Sequence, residues 1–144
     1  MSVAAPSTDA AAALSRSLPK SFMAFDFGTR RIGVATGNSL TQSAQPLRTL
    51  RADGEAHFAA IADLVAEWQP DALVVGVPRH PDGAAHDNTR RAQRFARQLH
   101  GRFGLPVHEV DERYSTVDAQ AAGARDLDAA SAALILEQFL REIA

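Results

Sequence analysis

The chain of 144 residues is the size of one ordinary domain and can bury a core without covalent staples. Its composition, 46% hydrophobic and 22% charged, is that of a globular protein, and the absence of cysteine excludes disulfides and thiolate metal sites. A net charge of −2 with five histidines excludes a global basic field, so any nucleic-acid contact must come from a local patch.

Residues 1–21 include an Ala/Ser-rich stretch that carries Asp9, and are expected to be a flexible tail ahead of a single domain over 22–144. The longest apolar stretch of the tail, 10–14, is too short for the core of a signal peptide and has no basic segment before it. No run approaches the ~20 apolar residues of a membrane span, so no membrane partner is expected, and a cytoplasmic location is the default expectation.

Residues 22–27, FMAFDF, form an apolar run interrupted only by Asp26, the pattern of a buried strand. Gly28 and Thr29 make a turn, and 32–36, IGVAT, read as a second strand. After the turn signal Gly37-Asn38, a third short strand is predicted at 46–50, which completes an antiparallel meander. The period then changes. Phe58, Ile61, Val65 and Trp68 fall at helical spacing in a helix that Asp53-Gly54 starts and Pro70 stops. Residues 72–77, ALVVGV, read as a buried strand ended by Pro78, and a polar loop follows over 79–88. A helix over 88–103 has Ala92, Phe95, Ala96, Leu99 and Phe103 on one face, Gly104 as its cap and Pro106 beyond it. The last strand, 107–110, runs into Asp111-Glu112-Arg113; a short helix is predicted after Ser115. A final helix from Asp128 to the end carries Ala132, Ile135, Leu136, Phe139 and Ile143 on its apolar side. The order βββαβαβα predicts an α/β fold: a five-stranded mixed sheet, three strands antiparallel and then parallel ones, flanked by helices.

Acids at three places stand out. Asp26 is a carboxylate in an apolar strand, which is costly unless it is paired or binds a metal; the bland reading is a partner for Arg30 or Arg31. Asp111 and Glu112 stand where a strand read as central ends, the place where open α/β sheets bind ligands, although Arg113 can neutralise Glu112 in a solvated turn. Asp128 starts a helix, where a cap or dipole role is ordinary, but Asp126 can cap in its place. Together they form a set of hard oxygen donors suited to Mg²⁺ or Mn²⁺, and a two-metal site of this kind cleaves phosphodiesters. Clustered carboxylates without a cation repel one another.

A basic element complements the acids. Arg90, Arg94 and Arg97 lie at i, i+4 and i+7 on one helical face, with Arg91 and Arg102 beside them, opposite Phe95 and Leu99. Guanidinium stripes suit phosphate backbones, and a solvated helix face is the alternative. Arg79, His80 and His86 in the preceding loop are either phosphate contacts or exposed residues, and the histidine spacing matches no zinc motif. Ser115 or Thr116 reads as a helix cap, and no glycine elbow supports a serine nucleophile.

Three blocks, FDFGTRRIGVA (25–35), DALVVGVPRHPDG with RRAQRFARQL, and DERYST (111–116), resemble the YqgF/RuvX family of bacterial Holliday junction resolvases and pre-16S rRNA nucleases. LDAASAALILEQFL (127–140) resembles that family's last helix, so the likeness runs from about residue 22 to the end. The resemblance implies an RNase H-like fold and an acidic metal site carried onto Asp26, the acid of DER, and Asp128, with Glu112 preferred and Asp111 the alternative because neighbours on a strand face opposite ways. It implies Mg²⁺ or Mn²⁺ as cofactor and a structured nucleic acid as partner: precursor 16S rRNA, with the ribosome nearby, or branched DNA. Arg30, Arg79, Arg90, Arg94, Arg97 and Arg113 are the expected backbone contacts. The chain departs from the family between Thr116 and Asp128, where the connection is short and Arg125 stands in for a lysine. That departure motivates a rival reading as a binding module for ribosomes or nucleic acid without catalysis. Asp26-Phe27-Gly28-Thr29 alone also resembles the phosphate turn of sugar kinases, but those close two lobes around ATP and this chain has length for one.

Overall fold

The computed structural model describes residues 18–79, 87–111 and 127–144. The elements run in the order β1 (Ser21–Phe27), β2 (Arg31–Asn38), β3 (Ser43–Arg51), α1 (Glu55–Trp68), β4 (Ala72–Val77), α2 (Asp87–Phe103), β5 (Val107–Asp111) and α3 (Leu127–Ile143). The expected helix after Ser115 lies outside the described residues, as does most of the expected tail.

The five strands form one sheet in the order β3-β2-β1-β4-β5. β1 pairs antiparallel with β2, and β2 with β3; β1 pairs parallel with β4, and β4 with β5. This is the predicted mixed sheet, but β5 stands at its edge rather than at its centre. β2 and β3 also extend beyond the apolar runs that announced them. Ser43, Ala44 and Gln45 pair with Asn38, Gly37 and Thr36, polar or small residues whose ladder bonds need no hydrophobic alternation. Pro46 is accommodated because β3 is an edge strand, and the register shifts beside it between Val34 and Ala35.

The alternation of side chains divides the core between the two faces of the sheet. On one face, Met23, Phe25, Ile32, Val34, Leu73, Val75 and Val77 pack against Phe58, Ile61 and Leu64 of α1 and Ala92, Phe95, Ala96 and Leu99 of α2. Phe95 is the aromatic centre of this side, edge-on to Phe25 at 5.7 Å and stacked on Phe27 at 4.6 Å. On the other face, Phe22, Ala24, Ala72, Val74 and Val110 pack against Ile135, Leu136, Phe139 and Leu140 of α3. Ala35 meets Ala132 and Ala133 there, small residues that let the helix lie close to β2.

The buried stripe of α1 runs through His57, Phe58, Ile61 and Leu64, whereas Trp68, read as part of that stripe, is 45% exposed at the helix end. Ile143, at the other predicted core end, is likewise 50% exposed. Both lie in the last turn of a helix. Gly104 takes a φ of 67°, and its N–H donates to His100 O at 2.9 Å, which closes α2 as expected.

Candidate functional site

The site is built at the end of the sheet where β1 stops and α3 begins. Asp26 shares the face of Phe22 and Ala24, the α3 face, and stands half-buried at the penultimate position of β1. Its cross-strand neighbours are Gly33 on β2 and Gly76 on β4, neither of which carries a side chain. The turn after Asp26 is tight, with the Gly28 N–H donating to Arg31 O at 2.9 Å.

Gly33 decides how near α3 can come. A Cβ on Gly33 would lie 1.8 Å from the carbonyl oxygen of Asp128 and 2.8 Å from the amide nitrogen of Ala129. The first turn of α3 therefore rests on the bare backbone of β2 at the residue opposite Asp26. Asp128 is the second residue of the helix, and its Oδ2 accepts a 2.8 Å bond from Arg31 Nε. Its side chain is 31% exposed, and that of Arg31 67%. Arg31 was a candidate partner for Asp26; the structure gives it to Asp128.

Parity settles where Asp111 points. Val110 packs with the α3 face, and in register Gly76 aligns with Val110 and Val77 with Asp111. Val77 belongs to the α1–α2 side, so Asp111 shares the face opposite to that of Asp26. Its Oδ1 is buried, and its main-chain oxygen accepts a 3.2 Å bond from Gln138 of α3. Glu112 and Arg113 lie outside the described residues, as do His80, His86 and Arg125. Among the described residues, no three acidic or histidine side chains come together as a metal-binding group.

The arginines divide by face. Arg90, Arg94 and Arg97 are exposed on α2, with Arg90 NH1 3.3 Å from Asp87 Oδ1. α2 packs on the side of the sheet away from Asp26 and Asp128. Arg79 is half-buried just past β4, at the same end of the sheet as Asp26, and Arg30 is exposed in the β1–β2 turn, its main-chain oxygen accepting from Ala52 N–H at 2.8 Å.

Three features of this end went unread in the sequence. Arg31 holds Asp128, Gly33 admits α3, and Arg51 stands opposite Arg31 across β2 and β3. Gly33 did carry a signal, because an isolated glycine in a strand marks close approach of another backbone. Two clefts, of about 250 and 580 Å³, open at the other end of the sheet around Ser21, Phe22 and Trp68, and around Leu18, His108 and Phe139, away from these residues.

Known proteins match this arrangement at the level of family and fold. Residues 20–142 match the family model RuvX, described as Holliday junction resolvase. A protein of Polaromonas sp. named "Putative pre-16S rRNA nuclease" is 64% identical over 124 residues, 86% of this chain and 90% of that one. One of the same name from Burkholderia lata is 53% identical over 132 residues, 84% of this chain and 89% of that one. Among solved structures, Thermus thermophilus RuvC in complex with a Holliday junction substrate matches with a TM-score of 0.57 at 14% identity, over 85% of this chain and 94% of that one. A second Thermus thermophilus RuvC structure gives 0.53 at 12% identity, over 85% and 95% of the two chains. These RuvC likenesses establish the RNase H-like fold. Among the described residues no helix is long and apolar enough to cross a membrane.

Proposed function

The chain belongs to the RuvX family, and we propose that it is a metal-dependent nuclease that hydrolyses phosphodiester bonds in structured nucleic acid, with 5′-end maturation of precursor 16S rRNA as its task. The observation that carries the reading is the convergence of Asp26 and the Asp128 end of α3 on one face of the sheet, made possible by Gly33.

Asp26, Glu112 and Asp128 are the residues proposed to hold Mg²⁺ or Mn²⁺. Their hard oxygen donors fit either ion. Asp111 faces away from Asp26, and a strand's alternation from Val110 favours the next acid, Glu112, over it. When bound, the ions would supply Lewis acidity and an activated water. Arg31 holds the Asp128 carboxylate through Oδ2, and Oδ1 is the oxygen proposed to meet a ligand. Arg30 and Arg79, at the same end of the sheet, are proposed to contact the backbone, with Arg90, Arg94, Arg97 and Arg113 extending that contact. Branched DNA is the rival substrate, on the strength of the family's own description.

The test is cleavage of pre-16S rRNA and of a four-way DNA junction with Mg²⁺ and with Mn²⁺. Asp26→Asn is expected to abolish cleavage while circular dichroism and melting stay those of the folded protein. Full activity in that variant refutes the site, and the preferred substrate decides between RNA and DNA.

A further inference from the structure

Arg31 and Arg51 are directly opposite each other on β2 and β3. In an antiparallel ladder such a pair has Cα atoms about 4.5–5.5 Å apart and side chains on one face. That face is the one carrying α3 and Asp26, because Arg31 alternates with Gly33 and Ala35, which meet α3. Like charges in direct opposition are unfavourable. The two are not balanced equally: Arg31 pairs with Asp128, while among the described residues Arg51 is exposed and makes no ion pair. Arg48, three residues earlier on β3, faces the other way, since it pairs with Val34 of the α1–α2 core.

We infer that Arg31 and Arg51 form a phosphate clamp for the nucleic-acid backbone on the β3 side of the site. The inference rests on the nuclease reading and adds to it the side on which the strand is held. Arg51 is the free fork of the clamp, and a phosphate between the two guanidinium groups removes their repulsion. Arg31 reaches the phosphate with its terminal nitrogens while its Nε stays on Asp128, so one side chain links the held backbone to the candidate metal ligand. The substrate strand then crosses β2 and β3 before it meets Asp26. The expected α2 contacts lie on the opposite side of the sheet and cannot supply this hold.

The experiment measures binding of a fluorescein-labelled RNA hairpin and of a labelled four-way DNA junction by anisotropy, in EDTA to prevent cleavage, across a potassium chloride series. Arg51→Ala is expected to weaken binding about tenfold and to lower the salt slope by about one phosphate contact. Arg51→Lys is expected to recover the slope, and Arg48→Ala to keep that of wild type. The melting temperature of Arg51→Ala should equal or exceed that of wild type, because a repulsive pair is relieved. Loss on both probes supports a general backbone clamp, and loss on one alone supports it and identifies the nucleic acid it serves. Unchanged affinity and slope in Arg51→Ala, or an equal loss in Arg48→Ala, overturns the clamp. Wild-type protein that binds neither probe overturns the nuclease reading itself, and so separates the two failures.

Discussion

The main chain of Asp128 occupies the space that a side chain on Gly33 would need: a Cβ there would stand 1.8 Å from the Asp128 carbonyl oxygen. The obstacle is backbone, which cannot swing aside as a side-chain tip can. Gly33→Ala is therefore expected to push the first turn of α3 off the sheet and to cost about 2–3 kcal/mol or more. Urea denaturation measures the loss. Cleavage should fall further than stability does, because the displaced turn carries Asp128. A Gly33→Ala protein as stable and as active as wild type would show that α3 does not sit this close.

Arg31 acts on the same helix turn through its side chain. With 67% and 31% exposure, the Arg31–Asp128 pair contributes less than about 1 kcal/mol to folding. Its value lies in orientation. Arg31→Gln is expected to melt within a few degrees of wild type and to lose about 10- to 100-fold in cleavage at saturating Mn²⁺, the effect of removing a group that orients the proposed metal ligand Asp128. Arg31→Lys should rescue only part of this, because a lysine has no equivalent of Nε and its flexible ammonium does not fix a carboxylate in one pose. Full activity in Arg31→Gln would assign the pair to the surface alone.

His57 gives the fold a pH dependence. It is buried near the start of α1, its Nδ1 accepts from the Asp53 N–H at 3.1 Å, and it packs at 4.4 Å from the Phe58 ring and 6.0 Å from Phe95. Burial lowers its pKa, and the nearby Arg102 charge lowers it further, while Asp53 and Glu55 oppose the shift. Arg102 is fixed there by its 2.6 Å bond to Glu55 and by lying 3.9 Å over the Phe58 ring. A histidine with a depressed folded pKa contributes stability that is present above its unfolded value, about 6.5, and is lost as the pH falls through the folded one. Stability should therefore decline below about pH 6.5, by up to about 1.4 kcal/mol per pH unit for this one group. His57→Asn, which keeps an acceptor for Asp53, should flatten the decline below about pH 6.5. An equal slope in both proteins would assign it to other groups.

What the sequence made legible followed from local pattern. The apolar runs of β1 and β4 and the helical spacing of α2 are properties of short windows, and Asp26 is conspicuous because it breaks one of them. The partner of Arg31 is not local, lying 97 residues away, and nothing nearby distinguishes Arg31 from Arg30. Arg51 was silent for a similar reason: its meaning comes from the residue opposite it, and β3 shows no clean alternation from which a register could be read. The faces of Asp111 and Asp26 also required the sheet, because parity has meaning only once the core residues on each side are known.

The arginine stripe of α2 was legible as a stripe but not in its position. α2 packs on the α1–α2 side of the sheet, opposite the Asp26 face, and β4 and β5 on either side of it run parallel. A helix joining two parallel strands must start near the end of the first and return toward the start of the second. Its first turn, at Asp87, is therefore nearest the end of the sheet where Asp26 stands, and each later residue recedes by about 1.5 Å. Arg97 lies seven residues beyond Arg90, about 10 Å further back. The arginines should consequently separate by substrate length. Arg90→Ala is expected to weaken binding of short and long nucleic acids alike, by about three- to tenfold each. Arg97→Ala should leave a short hairpin unaffected and weaken only a substrate long enough to pass around the sheet edge onto α2. Titrating a series of hairpins of increasing stem length with both variants reads the difference directly. An equal loss for Arg90→Ala and Arg97→Ala at every length would mean that the nucleic acid lies along the whole helix. No loss for either would return the stripe to the role of a solvated face.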